Sequence, residues 1–125
     1  MKQQFYILSA CLPYLDNIDN HLRTCQLKRD LAGTASLRVK SCYKDTSEDS
    51  FLVVTEDQSM ILALADKYNQ ESVLVREPSN AVSLLFSSGQ SEYIGEWKQV
   101  PQWVAEDNGS YTKYGDNWFI AVKYT

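Results

Sequence analysis

Four polar residues, Asn20, Arg23, Glu48 and Gln70, are of the types that bind small polar ligands, and they come from three different elements of the chain. An arginine fork flanked by two amides and a carboxylate can hold a carboxylate, a phosphate or a nucleobase. The same residue types also serve a plainer purpose. Arg23 and Glu48 can form a buried ion pair while Asn20 and Gln70 satisfy loop backbone, because polar residues spaced among core positions are often structural ties.

The other chemical groupings are weaker. His21 and Cys25 are i, i+4 neighbours, so a Cys–His nucleophile can be drawn, but nothing in the sequence orients the imidazole. Glu48-Asp49 and Glu56-Asp57 bracket a strand about eight residues long, too far apart for one cation site. No metal set and no cofactor motif is expected, and no catalytic residue is assigned. Arg38, Lys40 and Lys44, beside Arg23, Lys28 and Arg29, suggest either a phosphate-binding surface or an edge strand guarded by lysines. An overall pI near 4.9 argues against strong nucleic-acid binding.

These residues need elements to position them. Phe5 to Cys11 is a short apolar run stopped by Pro13 and reads as a buried strand. Asp16 is a good N-cap, Asp19 suits the positive end of the first helix, and Gly33 stops it. Projected as a helix, Ile18, Leu22 and Cys25 fall on one side and Asn20, Arg23, Leu27 and Leu31 roughly opposite, so the helix is apolar on two sides. The second stripe needs a cover, either the C-terminal segment or a partner protein.

Leu37 to Lys44 alternates as a strand with a basic outer face, residues 45–49 read as a loop, and Phe51 to Thr55 reads as a buried strand. Asp57 or Ser59 caps a second helix with Ile61, Leu64, Ala65 and Tyr68 at helical spacing, stopped at Asn69. Strands over 72–77 and 81–86 flank a Pro78-Ser79-Asn80 turn. The order predicts an α+β fold, a split β-α-β-β-α-β (ferredoxin-like) sandwich over residues 1–90. Residues 91–125, crowded with aromatics and with Asp107-Asn108-Gly109 and Gly115-Asp116-Asn117, read as an antiparallel β-meander in the same single domain.

A chain of 125 residues with 44% hydrophobic content is long enough for a proper core. Cys11, Cys25 and Cys42 form neither a disulfide framework nor a zinc pattern, so reduced thiols are expected. No run approaches membrane-spanning length, and Met1-Lys2-Gln3-Gln4 leads into a strand, not a signal core; a cytoplasmic protein is expected. The net charge of −4 is uneven: residues 1–46 hold seven Lys/Arg against four Asp/Glu, and 47–125 hold five against twelve.

The pattern Asp19-Asn20-x-x-Arg23-x-x-x-Leu27, Glu48-x-Ser50-Phe51-x-Val53 and Leu64-Ala65-x-x-Tyr68-x-Gln70-x-x-Val73 resembles a family of short bacterial and phage proteins known only as a domain of unknown function. That pattern has a strand ending in Ala-Trp-Asn-Pro, a Glu-Asn helix, a Glu-x-Ser-Phe strand and a helix ending in Phe-Gly-Gln. The likeness spans about residues 5–77; Cys11-Leu12 stand where it has Trp-Asn, and Asn69 where it has Gly. Asn20, Arg23, Glu48 and Gln70 fall on its recurring polar positions.

The expectation is a non-enzymatic protein-interaction module, engaging a protein partner or a second copy through Ile18 and Leu22 or through Trp97 and Trp103 in the meander. The resemblance adds the idea of a phage-type inhibitor or modulator of a host factor, acting in the host cytoplasm. The alternative is a small-ligand (anionic or nucleotide-like) binding domain or modest enzyme built on Arg23 and Glu48.

Overall fold

The computed structural model describes residues 3–124; Met1, Lys2 and Thr125 lie outside it, including the start of the lead-in read as a non-signal segment. Eight antiparallel strands close into a barrel. They are β1 (Phe5–Ser9), β2 (Ser36–Tyr43), β3 (Thr46–Val54), β4 (Ser72–Arg76), β5 (Ala81–Phe86), β6 (Ser91–Val100), β7 (Tyr111–Tyr114) and β8 (Asn117–Val122). Around the ring their order is β1-β3-β2-β7-β8-β6-β5-β4, and β4 returns to β1.

The sandwich expectation, and with it the α+β class, is corrected by this closure. Its cause is pairing between strands far apart in sequence. Lys40 to Cys42 of β2 pair with Tyr111 to Lys113 of β7, and Glu96 to Val100 of β6 with Trp118 to Val122 of β8. Closing the ring leaves no unpaired strand edge. β2 is therefore not a guarded edge strand: Arg38 and Lys40 reach Asp49 at 3.0 and 2.7 Å across the β2–β3 ladder.

Helices α1 (Asn17–Asp30) and α2 (Gln58–Lys67) lie against the outer face of one part of the barrel. Asp16 caps α1 by accepting from the Asp19 amide at 2.8 Å, and Asp57 caps α2 by accepting from the Met60 amide at 3.1 Å. Alternation decides what each strand contributes. Tyr6 and Leu8 of β1 and Phe51 and Val53 of β3 pack outward beneath Leu27, Leu31, Ile61 and Tyr68, while Phe5 and Ile7 join Val39, Leu52, Leu74 and Trp97 inside.

The segment read as a meander holds a third helix, α3 (Gln102–Asn108), between β6 and β7. Pro101 precedes it and Gly109 ends it in the left-handed conformation, so the residues read as a hairpin turn are a helix terminus. The 45–49 stretch read as a loop is mostly strand: only Lys44 and Asp45 turn, both at positive φ, and Tyr43 already pairs with Thr46. Among the described residues no helix is long and apolar enough to cross a membrane.

Candidate functional site

A cavity of about 910 Å³ opens at one end of the barrel. Its inner part ends on aromatics. Trp97 and Phe119 line it and stack at 5.1 Å, and Phe5 meets the Trp97 ring edge-on at 5.2 Å. Above them the walls turn polar: Ser9, Ser41, Ser50, Ser72 and Thr112 come from five strands. Ser41 and Ser50 hydroxyls lie 2.5 Å apart, and Ser9 donates to the Asp49 carbonyl at 3.2 Å while accepting from the Cys11 amide at 2.9 Å.

Glu48 stands in this polar zone because β3 alternates. Glu48 and Ser50 face the cavity while Asp49 points outward to its two cations. Burial pushes the Glu48 carboxyl above its ordinary value, and the neighbouring Ser9 hydroxyl partly offsets that. Asp49 moves the other way: its hydrogen bond from Lys40 leads in holding it below the usual carboxylate range. Adjacent carboxylates on one strand are thus driven apart by facing opposite sides of the wall.

The remaining lining charges are Glu71, Glu92 and Lys44, all exposed at the rim. Among the described residues no cation forms an ion pair with Glu48, Glu71 or Glu92. Lys44 lies over the Tyr43 ring, its Nζ 5.2 Å from the centroid. The cavity is therefore a cation-attracting one with an aromatic floor.

The predicted cluster does not assemble as a single fork. Arg23 makes no pair with Glu48; its Nε donates to the Ala10 carbonyl at 2.7 Å and Nη2 to the Tyr68 carbonyl at 2.5 Å, with the guanidinium 5.4 Å from the Tyr68 ring centroid. Asn20 accepts from the Leu12 amide at 2.9 Å and donates to the Leu12 carbonyl at 3.0 Å. Gln70 lines the cavity and donates to the Cys11 carbonyl at 2.9 Å. All three fasten the segment after β1, whose Cys11 to Pro13 form part of the cavity mouth.

Arg23→Lys is expected to lower the unfolding free energy by about 1–2 kcal/mol, because a single ammonium does not reproduce the fork that reaches Ala10 through Nε and Tyr68 through Nη2. Urea denaturation checks this. Unchanged stability with lost ligand binding would instead make Arg23 a direct ligand contact.

Ile18, Leu22 and Trp103 are exposed at 71%, 59% and 72%, whereas Trp97 is stacked inside the barrel. His21 Nε2 and Cys25 Sγ are 3.5 Å apart on the helix, away from the cavity lining. All three cysteines are free, and among the described residues no group of three or more His, Cys, Asp and Glu side chains could hold a metal. The serines, Thr112 and Glu92 were missed by sequence reasoning. Ser9, at the end of an apolar run, gave some signal; Glu92 lies in a strand with polar residues on both faces and gave none.

No curated protein matches the chain. A family model does, from Tyr6 near the start of β1 to Val122 at the end of β8, and its description is that of an enzyme family. That match overturns the reading as a non-enzymatic interaction module or phage-type accessory inhibitor, and it favours the small-ligand enzyme alternative. The likeness over residues 5–77 had pointed to a family of unknown function; the family found instead is a named one that extends through the C-terminal strands. Over residues 6–122, this chain belongs to the S-adenosylmethionine lyase family.

Proposed function

We propose that the protein is itself a lyase that cleaves S-adenosylmethionine at a carbon–sulfur bond, in the mouth of the barrel. One observation carries the placement: Glu48, half-buried and without an ion-pair partner among the described residues, faces a cavity whose described lining has three carboxylates and a single lysine. The substrate brings a sulfonium and an α-ammonium, the charges such a cavity favours.

A lyase adds no water, and the displacing group in this reading is the substrate's own α-carboxylate. That carboxylate reaches the carbon beside sulfur through a five-membered ring. An O–C bond forms as the C–S bond breaks, and the electron pair leaves on sulfur as a neutral thioether. An oppositely charged pair is consumed in this step, so removal from water favours it. Among the described residues the lining has no cation other than rim Lys44 to hold the carboxylate back.

Glu48 suits the ammonium, which stays charged throughout. A half-buried carboxylate such as Glu48 held in contact with the sulfonium would stabilise the ground state more than the transition state. The aromatic and apolar walls, Trp97, Phe86 and Ile94, are the better neighbours for a charge that disappears.

The test is incubation of purified protein with S-adenosylmethionine in water enriched in oxygen-18. Mass spectrometry should find the adenosyl thioether and a lactone without label at the moment of formation. Absence of turnover would overturn the proposal, and direct label incorporation would replace a lyase with a hydrolase.

A further inference from the structure

The cavity holds a second inward carboxylate that the reaction as written does not use. β3 and β6 stand four places apart in the ring of eight strands, so Glu48 and Glu92 approach the cavity from opposite walls. Glu92 belongs to the inner face: its ladder partner is Leu84, which lines the same cavity, and paired residues of an antiparallel ladder share a face. A bulge between Val82 and Ser83 shifts the β5–β6 register just beside it, and such irregularities re-aim side chains at barrel rims.

The thioether product has lost the amino-acid chain with its ammonium and also the positive charge at sulfur, and only the second change lies at the atom the product keeps. The sulfonium is cationic and the thioether neutral, while adenine and ribose are unchanged. With the ammonium assigned to Glu48, the remaining cation of the substrate is the sulfonium; of the two other lining carboxylates, Glu92 is the one carried on a barrel strand, Glu71 standing just before β4.

We propose that Glu92 is a specificity-determining residue that reads the positive charge at sulfur, so that the cavity retains the sulfonium and releases the neutral thioether. This rests on the lyase reading and deepens it. Glu92 acts on affinity and discrimination, and Glu48 on placing the amino-acid chain. At the rim, partly in water, Glu92 costs the chemical step little, because its attraction to the ground-state charge is screened.

The experiment is calorimetric titration with two probes that share both ends and differ at the centre. Sinefungin carries an amine-bearing carbon where the sulfonium stands, and S-adenosylhomocysteine is the neutral thioether. The wild-type chain should bind sinefungin about tenfold more tightly than S-adenosylhomocysteine. In Glu92→Gln the ratio should fall to about two or less, with the loss confined to sinefungin.

Glu71→Gln, which removes the other rim carboxylate, should leave the ratio within about twofold of wild type. An equal loss in Glu71→Gln would mean a diffuse field and overturn the assignment to Glu92. An unchanged ratio in Glu92→Gln, or equal weakening of both probes, would overturn it while leaving the lyase reading intact. Failure of both probes to bind the wild-type chain would overturn the two together. Glu92 is exposed, so Glu92→Gln is expected to fold, with an unchanged melting curve as the check.

Discussion

Glu48→Gln should lower kcat/KM for S-adenosylmethionine by about a hundredfold, mostly through KM, while the melting temperature at neutral pH stays level or rises by about 2–5 °C. The two effects share one cause. The carboxylate is half-buried, among serines and without an ion-pair partner among the described residues, so its charge is costly in the empty protein and useful only when a cation arrives. Glutamine keeps the shape and one acceptor oxygen but has no charge.

The pH dependence has a definite sign. Burial raises the folded pKa of Glu48 above its ordinary value of 4.5. The stabilisation gained by binding that proton is fully present below the ordinary value and is lost as pH rises through the folded one. The Tm advantage of Glu48→Gln should therefore grow with pH across that window. Substrate affinity of the wild type should rise over the same window, since the ionised form is the one that holds an ammonium. Melting curves and KM measured from pH 4 to 8 check both. A Tm loss of more than about 5 °C at neutral pH would show that Glu48 is a structural group instead.

The second large effect comes from backbone packing within the barrel wall itself. Gly95→Ala should cost about 3–5 kcal/mol and lower the melting temperature by about 10–20 °C. Gly95 is buried in β6 at φ +138°, and a Cβ there would lie 2.6 Å from both the carbonyl carbon and oxygen of Val122. The obstacle is backbone, so no rotamer change relieves it. Relief requires β6 and β8 to move apart, which opens the barrel on the side that carries Glu92 and Trp97. Chemical denaturation measures the cost, and a loss under about 1 kcal/mol would show that the wall can flex.

How much of this was readable beforehand depended on whether the signal was local. The caps of α1 and α2 rest on one side chain and an amide three residues on, and Asp16 and Asp57 were both legible for that reason. Glu48 was legible as a polar residue worth naming, although the partner drawn for it, Arg23, turned out to hold the backbone of Ala10 and Tyr68. Residues 45–49 misled because a polar run usually means a loop. Here Glu48 and Ser50 face a cavity, so the polar lining disguised the strand.

From its residues alone the chain committed itself to its two long helices, to several short strands and to apolar faces that must be buried, since propensity, capping and alternation act over a few residues. Tertiary structure decided the rest. The ring closes through β2–β7 and β6–β8 ladders that join segments up to about 70 residues apart, and no local pattern encodes which distant strands will pair. Only that closure brings Glu48 and Glu92 to opposite walls of one cavity and turns scattered serines into its lining.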